Sequence, residues 1–409
     1  MQTKEFSNEQ TMLTLAMASY AGFFDTGTNR MVEATLTHQV EALLQTLPPL
    51  QKDWELAFGP VTYRLPWTPV DQDMMFAVRS RSEPHRYVIA IRGTNPLSVF
   101  DWAVEDAWVG TLVPWQGPKA LSRASAGAEP RVSMATALGL GVLLKMHGHS
   151  GVGAALHNSV SHLSTALTHL TQNAPRPLRK LGTGPLARRF ETAGERVSSL
   201  FGLSEPASQT GGRVTDFLRE AVLKADAPLE VNVVGHSLAG SLAPTLALWL
   251  AETQGSFDVG SEKPWDPNHT ATAMSYSYGG PTQGDAHFAH WAEEFMGERV
   301  FRFANSLDIV PHGWNKEDLI QTPSLYGESV SPLPGFKAVV KLFHALTRNK
   351  GYTHIHADQP ALKGTVNPRK TRFMEQMVYQ HVDAYFELMG LSDCLNLESF
   401  FGPLARAVE

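Results

Sequence analysis

Val231-Asn232-Val233-Val234-Gly235-His236-Ser237-Leu238-Ala239-Gly240 is the stretch whose reading decides the fold. Its apolar, largely β-branched start predicts a strand buried on both faces of a sheet. The run stops at a Gly-x-Ser turn, and a helix-forming segment, Leu238 to about Glu252, begins directly behind the serine. This reads as a nucleophile elbow, a strained strand-to-helix turn flanked by small residues that pushes the serine Oγ out at the sheet edge. The first-turn N–H groups and the positive end of the helix dipole then face the place where an oxyanion would form, which makes the Leu238 N–H a candidate donor. The usual fifth-position glycine is replaced by Ala239, with glycine one residue later at Gly240. That methyl group predicts a small shift of helix against strand. A bare Gly-x-Ser turn also fits an ordinary loop, so the rest of the chain must supply a base and an orienting acid.

Outward from the elbow, strands and helices alternate, which predicts a mainly parallel sheet covered on both faces. Strands are expected over residues 61–65, 74–79, 87–92, 230–234, 273–278 and 300–304. Helical periodicity appears over 10–20, 35–47, 214–224, 284–296 and 373–388.

The strand at 87–92 runs into Arg92-Gly93-Thr94-Asn95, followed by Asp101-Trp102 and Asp106. Open α/β sheets bind their ligands at the carboxyl ends of strands. Thr94 is therefore a second candidate oxyanion donor, beside Leu238. For Arg92 a structural role is the better expectation, paired to Asp101 or Asp106.

Past the strand at 300–304 comes Asn305-Ser306-Leu307-Asp308-Ile309-Val310-Pro311. An orienting aspartate belongs just beyond a strand end, where a rigid element carries it to the imidazole. Asp308 fits this place, and Asp285 is the poorer rival because its context reads as a helix cap. The base follows the acid in the chain order of such sites, which leaves His354, His356 and His381. Spacing favours His381.

Taken together these motifs resemble the class 3 lipase family of α/β-hydrolases. The resemblance rests on Ile91-Arg92-Gly93-Thr94 with Asp101-Trp102, Gly235-His236-Ser237-Leu238, Tyr278-Gly279-Gly280-Pro281 with Gly284, the segment Asn305 to Pro311, and His381 with Tyr385, in that order. It implies an α/β-hydrolase fold with Ser237 as nucleophile, Asp308 as acid, His381 as base and Thr94 as oxyanion donor. The implied activity is serine carboxylester hydrolysis, above all of lipid esters. A phospholipase A1 or feruloyl-type esterase would use the same triad, and a catalytically silent scaffold is the rival from another class. The implied partners are an ester or lipid substrate and reversible contact with a lipid interface.

Composition narrows the remainder. The 409 residues, 43% of them hydrophobic, suffice for a single large domain over 1–409. A net charge of −6 gives no electrostatic footprint for nucleic acid. The single cysteine, Cys394, excludes an intramolecular disulfide. No metal-ligand cluster or phosphate loop is evident, so no cofactor is expected. The sequence begins without a Sec-type leader and has no apolar run long enough to span a bilayer, so a cytoplasmic site or a signal-independent export route is the expectation.

Residues 115–212 change texture, rich in Ser, Ala, Gly, Thr and Pro, and are expected to form a cap or lid inserted above the sheet. Within them Gly148-His149-Ser150-Gly151 mimics the elbow, but Gly151 and Gly153 oppose a helix behind Ser150, so a turn is expected. Val152, Leu156, Val160, Leu163, Leu167 and Leu170 form one apolar helical stripe. His162 and His169 lie off that stripe, about 10.5 Å apart along a helix, too far to share a metal ion. Arg176, Arg179, Lys180, Arg188 and Arg189 fit a solvated face at least as well as a membrane contact.

Overall fold

The computed structural model describes residues 5–22, 29–63, 73–93, 109–123, 129–146, 213–255 and 264–401. Its centre is a six-stranded sheet of β1 (Trp54–Tyr63), β2 (Asp73–Ser80), β3 (Arg86–Ile91), β6 (Glu230–His236), β7 (Thr272–Tyr278) and β9 (Val300–Phe303), in that spatial order. The first two pairings are antiparallel, and β3-β6-β7-β9 are parallel. The expected strands are all present. The first is much longer than residues 61–65, because Trp54–Pro60 lacks a clean apolar alternation yet pairs along β2.

Alternate residues of each strand feed two cores, as the two-residue period of a strand requires. Met75, Ala77, Ile89, Ile91, Val231 and Val233 meet α4 (Met134–Lys145), α5 (Val214–Lys224), α6 (Leu238–Glu252) and α7 (Ala286–Met296). Met74, Phe76, Val78, Val88, Ala90 and Val234 meet α1 (Asn8–Ala18) and α2 (Asn29–Thr46) on the other side. At about 1.5–3 kcal/mol per fully buried Val, Leu, Ile, Phe or Met, this double burial is the main force holding strand and elbow helix in place. Helix α1 is closed at its start by Ser7, whose side chain caps Gln10 in a capping box.

Residues 115–123 and 129–146, the described part of the stretch expected as a cap, are built into the body of the fold. Trp115, Met134, Leu138, Leu140, Leu143 and Leu144 lie in the same core as α6. A buried carboxylate fixes the connection: Glu252, at the end of α6, accepts the indole N–H of Trp115 and of Trp291, both at 2.7 Å. It also accepts the backbone N–H groups of Lys119 and Ala120, in the first turn of α3 (Pro118–Arg123), at 3.0 and 3.1 Å. Four donors offset the cost of desolvating a charge. The turn at 148–153, the stripe at 152–170 and the basic group at 176–189 lie outside the described residues.

Short strands β4 (Leu112–Pro114), β5 (Arg131–Ser133), β8 (Gly284–Asp285) and β10 (Tyr352–Thr353) form a second, four-stranded sheet. Helix α8 (Lys316–Leu319) follows the Asp308 loop, and α9 (Phe336–Thr347) packs Phe336, Val340 and Phe343 against Ile309, Trp314 and Phe373. The helix expected over 373–388 is two helices, α10 (Phe373–His381) and α11 (Asp383–Leu388), broken at Val382 with φ −124° and ψ −72°. The break sets His381 at the end of a helix. A last helix, α12, spans Glu398–Phe401. Among the described residues no helix is long and apolar enough to cross a membrane.

Candidate active site

Ser237 sits between β6 and α6 with φ 63° and ψ −134°, a conformation that costs a residue with a Cβ of order 1–3 kcal/mol. The turn is held by its neighbours. Its N–H donates to the Tyr278 carbonyl at 2.9 Å, and its carbonyl accepts the Gly240 N–H at 2.8 Å. A Cβ on Gly235 would lie 2.2 Å from the Ala239 carbonyl oxygen, and one on Gly240 would lie 2.8 Å from the Gly280 Cα. The close approach of helix to sheet thus falls on Gly240 and Gly280, and the missing side chain at Gly235 makes room for the methyl of Ala239. The Ser237 side chain is buried, and among the described residues its Oγ has no hydrogen-bond partner.

Beside it, a Cβ on Gly93 would lie 3.1 Å from the Ser237 Cβ, so the end of β3 abuts the elbow. Thr94, the expected oxyanion donor, lies outside the described residues, as do Asp101, Trp102 and Asp106. Leu238 is the first residue of α6, where its N–H belongs to the helix's unpaired N-terminal set. Arg92 is buried and structural: its guanidinium donates to the carbonyls of Ser19 and Ala21, just past the end of α1.

Asp308 lies in the loop after β9 and is fully buried. Its Oδ1 accepts the Val310 N–H at 3.0 Å, and its Oδ2 accepts from His381 Nδ1 at 2.8 Å and from the Tyr385 hydroxyl at 2.9 Å. A carboxylate can only accept, so Nδ1 of His381 carries the proton and the lone pair of the neutral ring lies on Nε2. Tyr385 in turn accepts the Asn305 N–H at 3.0 Å. The Asn305 side chain ties this loop to α10, donating to both the carbonyl and the Oε1 of Gln380 at 2.8 Å. At Gly279, with φ 61°, a Cβ would come within 2.9 Å of both Asp308 Oδ2 and the Tyr385 oxygen, which glycine alone avoids.

The rivals stand elsewhere. Asp285 is the N-cap of α7 and accepts the Phe288 N–H at 2.9 Å. His354 is buried with Nε2 at 2.7 Å from the Pro311 carbonyl, and burial, aided by the Arg302 charge, pushes its pKa down to about 3. His356 has φ 51°, and its Nε2 lies 3.0 Å from the Gly297 carbonyl. Neither faces Asp308 in the way His381 does.

Three residues at the site have no role in the sequence reading beyond their place in a motif or helix. Tyr385 donates its hydroxyl to the Asp308 carboxylate. His236 packs its ring 4.5 Å from that of His381 and bonds the His381 carbonyl, and Tyr20 reaches His236 from the end of α1. The signal for Tyr385 is its place four residues after His381, one helical turn on, although a helix break intervenes.

A mixed sheet clothed by helices, with a serine elbow after a central parallel strand and an Asp–His pair beside it, defines an α/β-hydrolase. The model of the lipase (class 3) family matches residues 146–317. The chain is similar to the crystal structure of M37 lipase at 29% sequence identity, with 98% of this chain and 99% of that chain covered and a TM-score of 0.74. It also aligns with lipase II from Rhizopus niveus at 15% identity over 76% of this chain and 75% of that one, with a TM-score of 0.34. No curated protein matches the chain. The family match and the likeness to M37 lipase together support a lipase-type carboxylic ester hydrolase of the class 3 lipase kind.

Proposed function

We propose that the chain hydrolyses acyl esters of lipids, such as triacylglycerols, by double displacement on Ser237. His381 Nε2 takes the Oγ proton as Oγ attacks the ester carbonyl, and the tetrahedral oxyanion is met by the N–H groups of Leu238 and Thr94. The C–O bond of the alcohol then breaks, and His381 returns the proton to the leaving oxygen. Water repeats the sequence on the acyl-enzyme. Asp308 keeps His381 in the Nδ1–H tautomer and stabilises the imidazolium that forms, without taking the proton itself. The cycle uses no metal or organic cofactor.

The single observation that supports it best is the 2.8 Å contact between His381 Nδ1 and the buried Asp308, on a helix end whose backbone is bonded to the residue preceding Ser237. The test has two parts. Fluorophosphonate should label folded wild-type protein but not Ser237→Ala, and unlabelled wild-type protein would overturn the serine mechanism. Aryl esters from acetate to palmitate, followed through the critical micelle concentration, should show preference for medium or long chains with a rate jump as aggregates form. A plain hyperbola peaking at acetate would replace the lipase with a soluble esterase.

A further inference from the structure

Tyr20, Gly93, His236 and His381 come from four separate parts of the chain and meet under the site. His236 is buried, with Nε2 2.7 Å from the His381 backbone carbonyl. A carbonyl only accepts, so the His236 proton is on Nε2, and Nδ1 is a lone pair. That lone pair faces the Tyr20 hydroxyl at 3.1 Å, and the His236 carbonyl lies 3.3 Å from the same hydroxyl, so Tyr20 is the donor to His236 through either acceptor. The Tyr20 oxygen accepts the Gly93 N–H in turn, one residue before Thr94. The result is a directed chain: the end of β3 donates to Tyr20, Tyr20 donates to the elbow histidine, and the elbow histidine donates to the backbone of His381.

Every link in this chain is neutral. Burial, and then the neighbouring His381, hold the His236 pKa well below that of an ordinary histidine. A proton on Nδ1 would set two donors, that N–H and the Tyr20 O–H, against each other, and it would place a second cation against His381 once the latter becomes an imidazolium. A neutral donor can hold the backbone of the base without opposing its protonation.

We infer that Tyr20 and His236 are positioning residues that hold the β3 end, the nucleophile elbow and the base of the proposed reaction in one register. The inference rests on the serine mechanism above, because the register it describes is that of oxyanion donor, Oγ and imidazole. Neither side chain touches the reacting atoms. Both act through the placement of groups that do, where misplacement by about 1 Å can cost about 10²-fold in rate.

The two arms of His236 can be separated by amide side chains. Glutamine places an N–H near the position of Nε2, and asparagine places its polar atoms near that of Nδ1. Tyr20→Phe, His236→Gln, His236→Asn and Ser237→Ala are compared for kcat and KM on a soluble short-chain aryl ester, for the rate of fluorophosphonate labelling, and for thermal midpoint. His236→Asn should lose about 10- to 100-fold in kcat and in labelling rate with KM nearly unchanged. His236→Gln should recover most of that loss, and Tyr20→Phe should fall between them. A merely structural role would move the thermal midpoint and leave kcat per folded molecule intact in all three. That result, or equal losses in the Gln and Asn variants, overturns the inference. If His236→Asn fails to fold, the nearly isosteric Tyr20→Phe decides, and full kcat there overturns it. Activity retained in Ser237→Ala overturns instead the serine mechanism on which the inference stands.

Discussion

Ser237 and Asp308 are both fully buried, yet their surroundings differ in kind. The Asp308 carboxylate accepts from the Val310 N–H, the His381 ring and the Tyr385 hydroxyl, and its loop is pinned by the Asn305–Gln380 bonds. The Ser237 Oγ has no partner among the described residues, and its backbone is held at φ 63°. The difference follows from what each group has to do in the proposed reaction. An acid that stays charged through the cycle is best served by donors already in place, since they cost no reorganisation as the imidazolium forms. A nucleophile must lose a proton and gain a bond, so a fully satisfied hydroxyl would be stabilised in the ground state. One side of the site is saturated and the other is strained.

The sharpest way to break this contrast is Ser237→Gly. It should remove nearly all turnover, by about 10⁶-fold in kcat, the scale on which a triad serine is lost. Stability should rise by about 1 kcal/mol, because glycine adopts positive φ without a Cβ penalty. Denaturant unfolding of both proteins provides the check. A less stable glycine variant would show that the elbow is not strained.

On the saturated side, Asp308→Asn should cost about 10⁴-fold in kcat by favouring the wrong imidazole tautomer. Tyr385→Phe removes one of three donors to the same carboxylate and should cost only about 10-fold, in line with a single hydrogen bond to a charged group. If the two variants were equally impaired, Tyr385 would be as central as the acid, and the picture of a redundantly held carboxylate would fail.

Much of this was legible in the sequence because the signals are local. The elbow follows from a β-branched run abutting a glycine turn, and Asp308 from a carboxylate just past a strand end. What escaped depends on contacts distant in sequence. Tyr20 lies 216 positions before His236, and only the fold brings its hydroxyl to that ring. The helix break at Val382 is invisible to periodicity, since Met377 before it and Phe386 after it are both buried and sustain one apolar pattern. The small sheet of β4, β5, β8 and β10 is too short for alternation to register, with strands of two or three residues. The stretch from 115 to 212 reads as an insertion by texture, and at its start Glu252 ties Trp115, Lys119 and Ala120 to the end of α6 from more than 130 positions away.

The smallest effect on activity should come from His354, and it completes the comparison by setting one buried histidine against another. His381 faces a carboxylate, whereas His354 faces the Pro311 carbonyl, with the Arg302 and His312 side chains opposing any positive charge on it. Its pKa near 3 is far from the range a base working around neutrality needs. His354→Gln, which can keep an amide N–H toward Pro311, should therefore leave kcat within about two-fold of wild type. The trace of His354 should appear in stability instead. Between about pH 6.5 and about pH 3 the unfolded chain carries a proton on this histidine that the folded chain does not, so stability falls as the solution is acidified through that window. The contribution is at most about 1.4 kcal/mol per pH unit, and the glutamine variant should show a slope shallower by up to that amount. His236, also held neutral, adds a slope of the same sign in both proteins, so the dependence should flatten without vanishing. Urea unfolding at pH 7 and pH 5 measures the difference. An unchanged slope would mean that His354 is not held neutral by its surroundings, and loss of turnover in a folded His354→Gln protein would move the base away from His381.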